Sequence, residues 1–327
     1  MTTRAGRAPG PEIDTLIIGA GLSGLVAAQR LIAAGLTVRV LDKGRSVGGR
    51  LATRRMAGAV VDHGAQFFTV RGESLAAQVD DWTSRDLVRV WCNGFDGEDG
   101  HPRYIGTTGM NSLAKDLATG VDVRAPSMAV ATRFDDLGRW EVTTDDGTVH
   151  RSRSLLSTAP VPQSFSLVFE SADGLPRELF DADYDRTLGL LVVLDGPSAI
   201  APPGGMQQPS TGVAFVADNA LKGISPVPAL TLHADPVWSL ERWEADPTDI
   251  ESELQRLAEP FIGSAGIVEA QVKRWRFATP RAPWSERCWI DESTRLVLGG
   301  DAFAGPRFEG AWESGIAAAE AVVTLCR

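Results

Sequence analysis

Short apolar runs separated by glycine open the chain. Thr15-Leu16-Ile17-Ile18 has the length and composition of a strand buried in a parallel sheet. It runs into Gly19-Ala20-Gly21-Leu22-Ser23-Gly24. Leu22, Leu25, Val26 and Ile32 then follow at helix-like spacing, which predicts a helix that starts inside the glycines and ends near Gly35. Val38-Arg39-Val40-Leu41 predicts a second strand, closed by Asp42. Strand, helix and strand within about 30 residues make one βαβ unit.

The middle of the chain changes period. Trp140 to Leu156 predicts a hairpin that turns at Asp146-Gly147. Leu188–Leu194, Gly212–Val216 and Ala229–His233 are further strand candidates, and Pro247–Ala258 a polar helix. The C-terminal stretch repeats the pattern of the first fifty residues, with Leu296-Val297-Leu298 as a buried strand, then Gly299-Gly300-Asp301 and a small-residue helix from about Gly310 to Leu325. The expected fold class is α/β, with a doubly wound parallel-sheet dinucleotide-binding domain and a smaller, mainly antiparallel β domain inserted for substrate. Residues 12–70, 103–165 and 290–327 are assigned to the first and 71–102 and 166–289 to the second, with 1–11 a disordered tail.

The 327 residues are 43% hydrophobic and 23% charged, an ordinary globular composition that excludes a disordered chain or a coiled coil. A net charge of −10 gives no overall cationic field, so neither nucleic acid nor membrane is expected as a partner. No apolar run approaches a membrane span, and the N-terminus lacks a signal-peptide core. Three dispersed cysteines form neither a disulfide framework nor a metal site. The expected location is the cytoplasm, with no metal.

The glycines carry the chemistry. Gly19 permits a tight turn, Gly21 lets backbone approach a pyrophosphate and Gly24 lets helix pack against strand. The helix N-terminus offers unpaired N–H groups to phosphate. Asp42, 18 residues past Gly24, suits a ribose diol. A second glycine-rich stretch, Lys43-Gly44-Arg45-Ser46-Val47-Gly48-Gly49-Arg50, suits a cofactor longer than NAD, with Arg50 available to phosphate. Gly300-Asp301 offers a carboxylate to ribityl hydroxyls. Phe308-Glu309-Gly310-Ala311 opens a helix whose N-terminus favours a reduced flavin.

The stretches IIGAGLSGLVAAQRL, VLDKGRSVGGR, DHGAQFFT and VLGGDAFAGPRFEGAWESG resemble the flavin amine oxidase superfamily. Within it, RYIGTTGMNSLAKDL, LHADPVWS and RWRFATP are most similar to the renalase-like branch. The resemblance covers most of the chain and implies non-covalent FAD. Cys288 lacks the flanking glycines of the cysteine that tethers FAD in monoamine oxidases. The cofactor contacts so implied are Gly19, Ala20, Gly21, Leu22, Ser23, Gly24, Asp42, Lys43, Gly44, Arg45, Gly48, Gly49, Arg50, Leu51, His63, Gly64, Ala65, Gln66, Phe67, Val123, Gly300, Asp301, Phe308, Glu309, Gly310 and Ala311.

For the bacterial renalases the resemblance implies oxidation of misreduced dihydronicotinamide isomers, with oxygen as acceptor and hydrogen peroxide as product. Such a hydride transfer needs no general base, only stacked rings and excluded water. No catalytic residue is assigned. The pocket candidates are Gln66, Tyr104, His233, Trp238 and Trp275, each with plain packing as the alternative. As a strand, Arg274-Trp275-Arg276 puts its arginines on one face and the indole on the other. The rival readings are an oxidase of a small amine, a non-catalytic FAD-bound interaction protein and an NAD-dependent dehydrogenase. With only two tyrosines, the paired-tyrosine cage of monoamine oxidases is hard to build.

Overall fold

A computed structural model describes residues 13–95, 97, 100–172, 174–303 and 305–327; the tail assigned to 1–11 lies outside them. An eight-stranded mixed sheet forms one half of the fold. Its main path runs Trp289–Asp291, Leu296–Leu298, Val149–Ser157, Ile13–Ile18, Val38–Leu41, Asp122–Arg124. The first junction is antiparallel and the other four are parallel, as βαβ connections require. Trp140–Thr144 pairs antiparallel with Val149–Ser157, which is the expected hairpin.

The glycine helix, Leu22–Ala33, packs on this sheet and against the C-terminal helix, Phe308–Cys326. A β-carbon at Gly24 would collide with the carbonyl oxygen of Gly19, and one at Gly315 would reach the Ser23 carbonyl at 2.6 Å. Close helix approach therefore depends on the missing side chains. Ser23 Oγ donates to the Ala311 carbonyl at 2.7 Å across the same contact.

A five-stranded antiparallel sheet forms the other half, in the order Gly205–Ser210, Val213–Asp218, Ala229–Ala234, Tyr184–Leu194, Ile267–Pro280. Strand alternation divides its two faces. Leu188, Leu190, Val192 and Leu194 join Ile250, Leu254 and Phe261 of the helix Pro247–Ile262. Leu191 and Val193 face the opposite way and join Met56, Ala59 and Val61 of the hairpin Thr53–Met56/Ala59–Asp62. Each buried leucine or phenylalanine contributes about 1.5–3 kcal/mol, so both faces are committed.

The joint between the halves is polar and fully buried. Lys222 Nζ meets Asp62 Oδ2 at 2.8 Å, with both side chains 0% exposed. Asp62 Oδ1 accepts from Thr53 Oγ1 at 2.6 Å and from the Met110 N–H at 2.9 Å. The Asp62 carbonyl accepts from Thr231 Oγ1 at 2.7 Å and Gln66 Nε2 at 2.8 Å.

Core packing departs from the expected division in two places. The helix Glu73–Ser84, expected with the inserted part, buries Leu75, Val79 and Trp82 beside the glycine helix, and Trp82 lies edge-on to Trp312 at 5.9 Å. Its apolar positions recur on one helical face, and that face is the nucleotide-side core. Val168, Ala172 and Leu179 likewise pack under the parallel sheet with Leu16 and Leu155. Among the described residues, no helix is long and apolar enough to cross a membrane.

Candidate functional site

A cavity of ≈ 1750 Å³ runs from the glycine loop, past the Gly48–Arg50 turn, to the edge strand of the antiparallel sheet. Small-ligand sites usually occupy about 300–1,000 Å³, so this one has room for a dinucleotide and a second molecule. At its inner end nothing lies within 4 Å of the place where a β-carbon on Gly21 would sit. The helix begun there has no side-chain cap, which leaves its first N–H groups facing the cavity. Asp42 accepts from the Ala20 and Gly44 N–H groups, both at 2.7 Å, which fixes its carboxylate beside the loop. Gly48 donates to the Ala20 carbonyl at 2.8 Å and so ties the second glycine stretch to the first. An open cradle, uncapped N–H groups and a fixed carboxylate fit an adenosine diphosphate moiety.

Further along, Arg50 and Asp301 form a two-pronged ion pair, with Nη2 to Oδ1 at 2.6 Å. From sequence, Arg50 is expected on a phosphate and Asp301 on ribityl hydroxyls; the structure joins the two to each other across 251 positions. Phe308, at the start of the C-terminal helix, stacks on Phe68 with centroids 4.1 Å apart. That helix also lacks a side-chain cap. The carboxylate of Glu309 turns away from the cavity and accepts from the N–H groups of Arg71 and Gly72.

The outer wall is flat and aromatic. His63 and Trp275 stack with centroids 5.4 Å apart and planes 24° apart. Trp275 Nε1 donates to the His63 carbonyl at 2.8 Å, and His233 Nε2 donates to the same oxygen at 3.1 Å. Burial, then the charges of Lys273, His233 and Arg54, push the His63 pKa down to about 4. Burial pushes His233 down to about 4, against the opposing pull of its bond to the His63 carbonyl. With their pKa values held near 4, both imidazoles are neutral at pH 7 and too weakly basic to be good proton acceptors.

Of the predicted cofactor contacts, Gly19, Gly21, Leu22, Ser23, Asp42, Lys43, Gly44, Arg45, Gly48, Gly49, Arg50, Leu51, His63, Gly64, Ala65, Phe67, Gly300, Asp301, Phe308 and Ala311 line the cavity. Ala20, Gly24, Gln66, Val123, Glu309 and Gly310 do not. Val123 lies in the edge strand Asp122–Arg124, paired with Val40. Gln66 is held by Nε2 bonds to the Asp62 and Gly64 carbonyls, and its Oε1 has no partner among the described residues.

Of the pocket candidates, His233 and Trp275 line the cavity and the other three do not. Tyr104 stacks on Phe68 at 5.7 Å, behind the wall. Trp238 sits on the helix Pro236–Glu241, with the Arg242 guanidinium 4.3 Å from its ring centre. It packs over Gly212, on the far side of the sheet from the cavity. Arg274 and Arg276 are exposed, and Arg274 reaches the Ala245 carbonyl at 3.3 Å. Arg54 and Lys273 also line the cavity and were not singled out from sequence. The only local hint was the run of arginines after Gly49 and the basic flank of Trp275.

The cavity is strongly cationic in an acidic protein. Among the described residues, Lys43, Arg45, Arg50, Arg54, Arg71, Lys273, Arg276 and Arg307 line it together with the carboxylates of Asp42 and Asp301. Both carboxylates already hold donors.

Comparison with known proteins agrees with this geometry. A family model for an NAD(P)-binding Rossmann-like domain matches residues 17–82. Renalase of Mus musculus is 22% identical over 92% of this chain and 96% of its own. A putative flavin-containing monoamine oxidase of Mycobacterium tuberculosis is 29% identical over 63% of this chain; the match spans about half of that protein (48%). The structure of cyclohexylamine oxidase from Brevibacterium oxydans IH-35A superposes with a TM-score of 0.73 at 14% identity, covering 96% of this chain and 99% of that one. Fold and site together define an FAD-dependent oxidoreductase. No cysteine lines the cavity among the described residues, and burial raises the Cys288 thiol to about 11, in keeping with FAD held without a covalent tether. Within that class the chain is renalase-like, similar to renalase over nearly its whole length and to a flavin-containing monoamine oxidase over part of it.

Proposed function

We propose that the protein oxidises misreduced dihydronicotinamide dinucleotides, the donor's hydride passing to FAD and then, as two electrons and protons, to oxygen to give hydrogen peroxide. One observation carries the reading: among the described residues, Lys43, Arg45, Arg50, Arg54, Arg71, Lys273, Arg276 and Arg307 outnumber the lining carboxylates, Asp42 and Asp301, by more than the two phosphate charges of FAD neutralise. Such a field draws a phosphate-bearing donor and repels an ammonium ion. The likeness to renalase along nearly its whole length supports the same reading.

Bound FAD supplies the two-electron acceptor. The chain's part is placement. Trp275, pinned through Nε1, and His63 offer a flat surface near the Gly64–Phe67 segment, against which a dihydropyridine ring can stack. The donor's own ring nitrogen supplies the electron push, so two neutral imidazoles are no handicap. An amine substrate would first have to lose a proton, and His63 and His233 are poor acceptors for it.

Anaerobic rapid mixing tests the proposal. Dihydronicotinamide isomers are expected to bleach the flavin's visible absorbance quickly, and small amines only at raised pH. Bleaching by an amine with none by any isomer would overturn it. A flavin that stays oxidised with every donor would favour a non-catalytic role.

A further inference from the structure

Among the described residues, many arginines are met by a carboxylate, among them Arg39, Arg85, Arg133, Arg151, Arg242 and Arg281. Arg54 and Lys273 are not. Neither side chain makes a hydrogen bond or an ion pair among the described residues. Arg54 is exposed on the hairpin strand Thr53–Met56, which packs on the inner face of the antiparallel sheet. Lys273 is half-buried on the edge strand, in register with Gly189, whose other neighbour is His233. Strand alternation therefore places Lys273, His233 and Trp275 on one face, the face turned toward that hairpin.

The two cations thus enter the cavity from its two walls, beside the His63–Trp275 stack. Lys273 feels its neighbour: burial, then the charge of Arg54, lowers its pKa. Two facing like charges, one of them partly desolvated, carry an electrostatic cost that an anion between them would offset. FAD's own phosphates belong elsewhere, at the Gly19–Gly24 loop.

We propose that Arg54 and Lys273 form an anion subsite that grips a phosphate of the substrate while its nicotinamide ring lies against Trp275. The assignment rests on the function proposed above and names the residues that select for a phosphorylated donor. The phosphate can be the one on the nicotinamide ribose, the second of a pyrophosphate, or an adenosine 2′-phosphate.

The test compares flavin reduction by reduced nicotinamide riboside, mononucleotide, dinucleotide and dinucleotide 2′-phosphate isomers, in the wild type, Arg54→Gln and Lys273→Met. One charge-assisted contact corresponds to about tenfold in affinity. The ratio of kcat/KM for phosphorylated donor to riboside is expected to fall about tenfold in each variant. The step in the donor series at which the wild-type preference appears identifies which phosphate is held. Lys273→Arg is expected to restore most of the preference. A preference kept intact by both variants would overturn the subsite.

A second readout needs no turnover. Inorganic pyrophosphate titrated into the flavin-loaded protein is expected to perturb the oxidised flavin spectrum or tryptophan emission, about tenfold more weakly in Arg54→Gln. Arg54 is exposed, so this variant is not at risk of misfolding. Equal pyrophosphate affinity in wild type and variant would also sink the subsite. If no donor reduces the flavin but the pyrophosphate response is lost in the variants, the proposed reaction fails and the subsite stands.

Discussion

Lys222 and Lys273 belong to the same half of the molecule and are treated in opposite ways. Lys222 is wholly buried, neutralised by Asp62 at 2.8 Å, and seals the joint between the two sheets. Lys273 is half-buried, faces Arg54 and has no carboxylate partner among the described residues. Removing a charge from water is costly, so a chain keeps such a charge only where a partner repays it. For Lys222 the partner is built in. For Lys273 it has to arrive from outside, and the contrast separates a charge that holds the fold from one that awaits a ligand.

The sharpest way to break the comparison is to remove each amine. Lys222→Met strands the fully buried Asp62 carboxylate without its counter-charge, which costs about 3–5 kcal/mol. Urea unfolding is expected to show that loss, with flavin released early because Asp62 also holds Met110 and, through Gln66, the segment after His63. Lys273→Met relieves a like-charge contact and is expected to leave stability within about 0.5 kcal/mol, tending upward. Equal destabilisation by the two substitutions would erase the distinction.

Arg50 and Asp301 give the next effect, at the cofactor end of the same cavity. Their pair is partly exposed, at 30% and 13%, so it is weaker than the Lys222 pair and stronger than a surface bridge. Asp301→Asn leaves Arg50 without its counter-charge and is expected to raise the FAD dissociation constant about 10–100-fold, read by flavin retention on gel filtration. Unchanged retention would mean that the pair serves the fold alone.

The contrast also explains what could be read from the chain beforehand. The glycine loop, the helix and Asp42 lie within about 30 residues, and local backbone geometry dictates them. The alternating strands and the hairpin at Asp146-Gly147 were legible for the same reason: periods of 2 and 3.6 are local properties. Pairing across the fold was not. Asp62 meets Lys222 across 160 positions, and Arg54 faces Lys273 only because Lys273 falls in register with Gly189. Trp238 and Trp275 look alike in sequence, yet one sits on a helix beyond the sheet and the other on its inner face. Register and sheet face decide between them, and no single-residue signal encodes either.

Trp275 tests the aromatic wall. Trp275→Ala removes both the stacking surface and the bond to the His63 carbonyl, and flavin reduction by a dihydronicotinamide isomer is expected to slow about tenfold. Trp275→Phe keeps the plane and loses only the bond, so it is expected to recover most of the rate. If alanine and phenylalanine behave alike, the carbonyl contact matters and the flat surface does not.

The smallest effect is on pH, and it extends the comparison to groups that settle their charge by discarding it. His63 and His233 are held near 4, well below the ordinary 6.5. Between those values the unfolded chain binds protons that the native state refuses, so stability rises with pH across the window and falls as pH drops from 6.5 toward 4. The depressed carboxylates Asp116 and Glu141 titrate below their ordinary values of 3.8 and 4.5, so the interval from about 5 to 6.5 belongs to the histidines. His150, lowered by burial and by Arg39, adds to the same slope from the opposite sheet. His233→Asn removes one titrating group and its amide can still donate to the His63 carbonyl. The dependence of Tm on pH over this interval is therefore expected to flatten in the variant, while its Tm at pH 7.5 changes by only a few degrees. A slope identical to wild type would show that His233 titrates alike in the native and unfolded chains, and its burial would then not depress it.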